Sequence, residues 1–113
     1  MRAYELMVII DRDADEKRRQ AILDLVDATN VADGGEVRTA YSSPPWGMRS
    51  FAYEIDHKSE GFYVVFEIVT PASGLGDLER QLRIADDVVR HKVMRLPDGE
   101  ATRRGLLEAA SAS

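Results

Sequence analysis

The sequence contains no cysteine, which excludes disulfide bonds and metal sites built from thiolates. It has only two histidines and four prolines, and aromatic residues make up 7% of its 113 positions. No apolar run is long enough to cross a bilayer. The start, MRAYELMVII followed by DRDADEKRR, does not resemble a signal peptide. These absences favour a cytoplasmic protein over a secreted or membrane-bound one.

Positive charge is also scarce. The chain has 15 Lys and Arg against 20 Asp and Glu, a formal net charge of -5. This balance argues against a general nucleic-acid binder, because phosphates are neutralised by clustered Lys and Arg. A local basic patch stays compatible with it, since net charge does not describe how charges are distributed. With 44% hydrophobic and 31% charged residues, a chain of this length is expected to form one globular domain.

What is present is an alternation of strand-like and helix-like segments. Residues 2–10 are largely apolar on both of their alternating faces, which predicts a central strand with something covering each side. A helix is predicted next. Asp13 can cap it, with Glu16 three residues later as in a capping box, and Gly34-Gly35 can end it.

The middle of the chain is predicted to form a β-hairpin. The run EVRTAY, residues 36–41, has strand character and is broken by the prolines of SSPP. Residues 50–56 and the run FYVVFEIV then form two strands joined by HKSEG as the turn. A short helix over about 73–85 and a last strand over about 88–96 complete the pattern.

The order β-α-β-β-α-β predicts an α+β fold of the ferredoxin-like, split β-α-β type, with a four-stranded antiparallel sheet and two helices on one face. The predicted domain spans residues 1–96. Residues 97–113 are predicted to be a flexible C-terminal tail with one helical turn around RRGLLEAA.

The alternation along the strands assigns side chains to two faces of this sheet. The residues expected to point at the helices are Leu6, Val8, Phe62, Val64, Phe66, Ile68, Val89 and Val93. The other face is expected to be open and to carry Met7, Ile9, Tyr63, Val65, Arg90, Lys92 and Met94. Apolar groups beside cations are typical of a surface that binds a partner, although the fold does not say which one.

Residues that could carry catalysis are few. His57 lies in the predicted turn and His91 in the last strand, far apart in sequence and with no visible third member of a site. The sequence has no GxSxG, HExxH or phosphate-loop pattern, and the acid pair Asp86-Asp87 is explained by solvation. We therefore predict no catalytic residue, no metal site and no cofactor.

The stretch Trp46-Gly47-Met48-Arg49 is more informative because it places the single tryptophan beside an arginine. A tryptophan next to two prolines can simply fill the core. An aromatic ring next to a guanidinium can also stack on an RNA base while the cation holds a phosphate. The residues alone leave both interpretations open.

Several motifs together resemble the family of bacterial small-subunit ribosomal protein number six. MRAYELMVII is similar to the family's opening strand, and WGMRSFAYEI with EGFYVV is similar to its hairpin. LERQLRIADDVVRHKVMR is similar to its last helix and strand. The resemblance covers about residues 1–96. It implies the same ferredoxin-like fold in a structural protein of the ribosome that is not an enzyme.

The resemblance also implies partners. Family members bind the central domain of small-subunit ribosomal RNA as a heterodimer with the basic ribosomal protein number eighteen. The acidic surface of this chain would attract that partner, while a small basic edge would contact RNA. The implied RNA-binding residues are Arg2, Trp46, Arg49, Arg90 and Lys92. The residues expected to bind the partner protein are Met7, Ile9, Tyr53, Tyr63, Val65 and Met94.

The chain departs from the family's basic cluster at two positions. The family usually has a basic residue where Met48 stands and often another where Ser50 stands. One alternative is therefore a paralogue that has lost rRNA binding. A second alternative is a small ferredoxin-like dimeric enzyme or ligand-binding module that uses His57, His91 and Tyr63. A homodimer with a closed apolar pocket would favour the enzyme, and a monomer with an uncovered sheet and a basic edge would favour the ribosomal protein.

Overall fold

The computed structural model describes residues 1–43, 46–55, 57–71 and 73–108. The elements in these ranges are β1 (Arg2–Asp11), α1 (Glu16–Ala32), β2 (Glu36–Tyr41), β3 (Gly47–Ile55), β4 (Lys58–Thr70), α2 (Gly76–Ile84), β5 (Val88–Leu96) and α3 (Asp98–Arg103). All strand pairs are antiparallel, and the predicted α+β ferredoxin-like fold is confirmed. None of the helices in the described ranges is long and apolar enough to span a membrane.

The sheet has β1 at its centre, paired with β5 on one side and β4 on the other. The far edge of the long strand β4 is shared by two strands: β2 pairs with residues 65–69, and β3 with residues 58–63. Thus β2 and β3 together take the place of one strand in the predicted four-stranded sheet, which explains the fifth strand. The prolines predicted to cause this break, Pro44 and Pro45, lie outside the described residues.

The β3–β4 hairpin is confirmed, but its turn is tighter than HKSEG suggested. Strand β4 already begins at Lys58, and His57 adopts a positive φ of 64° in the turn. The start of α1 also differs from the prediction. Asp15, not Asp13, is the N-cap and accepts a hydrogen bond from the backbone N–H of Arg18 at 2.8 Å. Asp13 lies too far before the helix and binds Lys58 instead.

The main core lies between the sheet and helices α1 and α2. Its buried residues include five of those predicted from the strand pattern: Leu6, Val8, Val64, Phe66 and Ile68. Phe62 and Val93 pack against this core and are partly buried. The assignment of Val89 was wrong, because Val88 takes the core-facing position. The pairing of β1 with β5 shifts register between Ile9 and Ile10, so one extra residue on β5 interrupts the alternation there.

A second, smaller cluster lies on the opposite side of the sheet. Ala3, Val69 and Leu96 are buried there under Ala101 of α3 and Leu106. The helix of this C-terminal segment begins earlier than the turn suggested around RRGLLEAA, and residues 109–113 lie outside the described residues. That residues 97–113 are flexible in solution stays a prediction.

Candidate nucleic-acid and partner interface

The side of the sheet opposite α1 and α2 is the candidate interface, and we call it the open face. Strand register places three rows of residues across β5, β1 and β4 on this face: Arg90–Ile9–Tyr63, Lys92–Met7–Val65 and Met94–Glu5–Glu67. Directly paired residues point to the same side of a sheet. The structure therefore brings together on one face the seven residues that the sequence placed there.

Trp46 and Tyr63 form the aromatic part of the open face. Their rings are stacked, with centres 6.3 Å apart and planes at 24°. Phe51 packs against Tyr63 at 6.3 Å with a tilt of 57°. The guanidinium of Arg49 lies 5.4 Å from the ring centre of Trp46 and 5.3 Å from that of Tyr63. Trp46 thus packs on the outer side of the sheet and does not fill the core between sheet and helices.

Gly47 makes this arrangement possible. Its φ is +94°, and a Cβ added to it would lie 2.7 Å from the carbonyl oxygen of Ser42. Only glycine adopts this conformation at low cost and allows so close an approach. The backbone turn at Gly47 therefore carries the indole of Trp46 back over β4.

The candidate partner-binding residues differ in accessibility. Ile9 and Val65 are only 5% and 4% exposed, although they lie on the open face. Phe51 helps to cover Ile9, because both side chains lie over the backbone of Gly61. A Cβ added to Gly61 would lie 2.6 Å from Ile9 and 2.8 Å from Phe51. Tyr53, in contrast, is 80% exposed. The exposed Tyr53 and Met94 and the half-buried Met7 and Tyr63 are therefore accessible for direct contact with a partner.

A hollow of about 220 Å³ lies at the centre of the open face, between Trp46 and β5. Its lining residues are Glu5, Met7, Trp46, Val65, Lys92 and Met94. Apolar walls with one cation and one carboxylate at the rim suit the insertion of a side chain or a base.

The cations of the open face have no carboxylate partner in the part of the chain that the structure describes. Arg49, Arg90 and Lys92 are exposed and make no ion pair within the described residues. Most other cations do pair with carboxylates: Arg12, Arg18, Arg38, Lys58, Arg80, Arg95, Arg103 and Arg104. The open face therefore carries three exposed cations without a carboxylate partner in a chain whose net charge is -5; within the described residues, Arg2, Lys17, Arg19 and Arg83 also lack one.

Arg2 is not part of this group. Tyr4 and Leu6, the next residues of the same parity on β1, face the core, so Arg2 lies on the helix side of the sheet. It is also seven residues from Ile9, which is roughly 23 Å along a strand. The sequence suggested that Arg2 could approach the end of the sheet that carries Arg90, Lys92 and Arg95. Because Tyr4 pairs with Arg95, Arg2 lies at the Arg95 end and not beside Arg90 or Lys92.

Glu5 and Glu67 are open-face residues that the sequence analysis missed. They are directly paired across β1 and β4, and both contact Arg104. Their signal was visible in ELMVII and FEIV, where a carboxylate interrupts an otherwise apolar strand. A charge at such a position usually has a partner.

The two histidines lie in different settings. His91 pairs with Val8 in register and lies 3.1 Å from Glu79 of α2, on the helix side of the sheet. His57 is exposed in the hairpin turn. Residues 1–43, 46–55, 57–71 and 73–108 contain no group of three or more His, Cys, Asp or Glu arranged to hold a metal ion.

The fold and the open face define a class of protein: a small α+β domain that carries aromatic rings and exposed cations on one side of its sheet. Residues 3–95 match the family described as Ribosomal protein S6. The small ribosomal subunit protein bS6 of Carboxydothermus hydrogenoformans is 40% identical over 95 residues, which cover 84% of this chain and 96% of that protein. The bS6 protein of Acidothermus cellulolyticus is 40% identical over 98 residues, covering 87% and 98%.

Solved structures agree with these relatives. The crystal structure of 30S ribosomal protein S6 from Thermotoga maritima superposes with a TM-score of 0.79 at 30% identity, covering 92% of this chain and 95% of that one. The P2 domain of the chemotaxis kinase CheA shares the fold alone, with a TM-score of 0.55 at 18% identity. The chain belongs to the ribosomal protein S6 family. It is a structural protein of the small ribosomal subunit, located in the bacterial cytoplasm, and not an enzyme.

Proposed function

We propose that this chain binds the central domain of small-subunit ribosomal RNA through its open face, together with the basic ribosomal protein number eighteen. The observation that carries the proposal is the set of unpaired cations on that face, Arg49, Arg90 and Lys92. Cations without carboxylate partners can contact phosphates and release counterions without first breaking an ion pair.

The aromatic rings support the role of Arg49. Contacts with Trp46 and Tyr63 hold its guanidinium in one place, so less side-chain freedom is lost when it binds a phosphate. A planar guanidinium can also form two parallel hydrogen bonds to a phosphate. Trp46 itself is half-buried, which leaves part of its ring available to a base.

Apolar residues on the same face support binding of the protein partner. Tyr53 and Met94 are exposed, and Met7 and Tyr63 are half-buried beside them. Large side chains of this kind commonly anchor interfaces. Ile9 and Val65 would act from beneath by holding these anchors in place. Arg2 would be a separate RNA contact at the other end of β1.

Competition during subunit assembly tests the proposal. Wild-type chain and an Arg90→Gln, Lys92→Gln variant compete for small subunits reconstituted without this protein. The matched control is Lys17→Gln, Arg80→Gln, which removes the same charge from exposed positions on α1 and α2. We expect the open-face variant to be outcompeted by the wild type and the control to be incorporated equally. Equal incorporation of both variants would overturn the role of the open face, and failure of the wild type to incorporate would favour a paralogue without rRNA binding.

A further inference from the structure

Residues 98–107, which we call the strap, cover one end of the open face. The strap consists of α3 and the turn that follows it. Ala101 and Leu106 are 0% and 5% exposed and pack on the buried residues Ala3, Val69 and Leu96. The strap therefore occupies sheet surface next to the row that contains Met94, Glu5 and Glu67.

Arg104 fastens the strap to the sheet. Its guanidinium donates to Glu67 at 3.1 Å and to Glu100 at 2.9 Å, and it lies 3.7 Å from Glu5. Glu5 and Glu67 face each other directly across β1 and β4, and like charges in that position repel. Arg104 offsets this repulsion. Arg103 and Arg104 together hold the pKa of Glu100 at about 2.

The remaining attachments of the strap are weak. Helix α3 has six residues, which is too short to be stable without tertiary contacts. Its N-cap, Pro97, makes no side-chain capping hydrogen bond. The strap is thus held by Arg104, by an exposed ion pair of Asp98 with Arg95 of β5 at 3.9 Å and by a few apolar side chains, which is typical of segments that open locally.

We propose that the strap is a removable cover, and that the basic protein partner displaces it and places an arginine of its own on Glu5 and Glu67. This inference rests on the proposed function. Charge complementarity supports it, because the two carboxylates already bind a guanidinium from the same chain. Opening the strap would also add Ala3, Val69 and Leu96 to the apolar surface next to Met94.

Amide hydrogen exchange on the full chain alone tests whether the strap opens. The reporting amides are those of Arg104 and Leu106, which donate to Glu100 and Ala101 within the strap. We expect them to exchange faster than the amides of β1, and faster still in Arg104→Gln. Arg103→Gln is the matched control, because Arg103 bonds to Glu100 and not to the sheet. Exchange of the strap amides only through global unfolding would overturn the proposal.

Partner binding tests the displacement. Arg104→Gln should tighten binding of the basic partner, by roughly tenfold if the strap is closed about 90% of the time. Glu5→Gln should weaken binding, because it removes a carboxylate that the partner needs. Opposite signs for these two variants distinguish displacement from a purely structural role, which would change binding in the same direction for both. Equal affinity of wild type and Arg104→Gln would overturn the strap proposal alone, whereas no binding by either would overturn the proposed function as well.

Discussion

The indole ring of Trp46 is stacked on the phenol ring of Tyr63, with 6.3 Å between ring centres and 24° between ring planes. This contact explains why the single tryptophan stands at the start of β3. It covers the sheet from outside and, with Tyr63, holds the guanidinium of Arg49 at 5.4 and 5.3 Å from the two ring centres. Packing and the proposed RNA-binding role are therefore joined in one cluster on the open face.

Gly47→Ala should disturb this cluster. The new Cβ would be strained by a φ of +94° and would meet the carbonyl oxygen of Ser42 at 2.7 Å. We expect the free energy of unfolding to fall by about 1–3 kcal/mol, measured by urea denaturation. The fluorescence of Trp46 should shift to the red as the indole leaves Tyr63. Gly76→Ala is the control, since nothing lies within 4 Å of an added Cβ there. Unchanged stability and emission in Gly47→Ala would contradict the arrangement.

Leu6 and Met7 test the assignment of the two sheet faces. Leu6 is fully buried in the main core, whereas Met7 is half-buried on the open face. Leu6→Ala should lower the free energy of unfolding by about 2–5 kcal/mol, through lost burial and the cavity left behind. Met7→Ala should cost clearly less. Chemical denaturation of both variants gives the comparison, and equal or reversed costs would contradict the assignment of the two faces.

The ion pairs of Lys58 predict a pH dependence. Its ammonium donates to Asp13 at 2.7 Å and to Asp11 at 3.1 Å. The hydrogen bond from Lys58 is the main cause that lowers the pKa of Asp13 below 3.8, whereas the pKa of Asp11 is lowered mainly by the backbone N–H of Asp13. The same ion pairs, that with Asp13 first, raise the pKa of Lys58 above 10.5.

Lys58→Met should therefore return the pKa of Asp13 towards 3.8 and leave that of Asp11 still lowered. A carboxyl group whose pKa is lowered on folding stabilises the folded state above pH 3.8. This stabilisation is lost as the pH falls through the pKa of the group in the folded protein. A lysine whose pKa is raised on folding stabilises the folded state below pH 10.5. This stabilisation is lost as the pH rises through the pKa of the lysine in the folded protein. The stability gap between wild type and Lys58→Met should thus narrow at both ends of the pH range. NMR titration of the carboxyl groups measures the two pKa values. If the pKa values of Asp11 and Asp13 both returned to 3.8 in Lys58→Met, the assigned causes would be wrong.

Introducing cations at Met48 and Ser50 tests which side of β3 the RNA contacts. Met48 pairs with Phe62 and Ser50 with Glu60, whereas Arg49 pairs with Gly61. The first two side chains therefore lie on the helix side and Arg49 on the open face. Met48→Lys with Ser50→Arg should tighten RNA binding only slightly, through long-range attraction. The test is RNA affinity measured at several salt concentrations. If the slope of log affinity against log salt became steeper by nearly one unit per added charge, RNA would contact the helix side of β3 as well.

The sequence predicted local pattern well and long-range contacts poorly. Alternation along β5 correctly placed Arg90 and Lys92 on one face, because side chains of a strand alternate regardless of what packs on them. The same rule failed at Val89, since an extra residue opposite Ile9 and Ile10 reverses it. The burial of Ile9 depends on Phe51, which reaches it only through the fold.

The contacts of the strap could not be predicted from the sequence either. Arg104 and Glu67 are 37 residues apart, and no spacing or periodicity links them. The small, polar composition of the C-terminal segment predicts flexibility, but composition does not reveal that Leu106 has a place on the sheet. Only the charges of Glu5 and Glu67 within apolar strands hinted that a cation would be needed there.

The most direct test of the open-face proposal is the salt dependence of binding to a central-domain RNA fragment by the heterodimer with the basic partner. The slope of log affinity against log salt should become shallower by about one to two units in Arg90→Gln, Lys92→Gln, because two phosphate contacts are lost. It should not change in Lys17→Gln, Arg80→Gln, which removes the same charge from the helices. Identical slopes in wild type and both variants would show that the open face does not bind RNA.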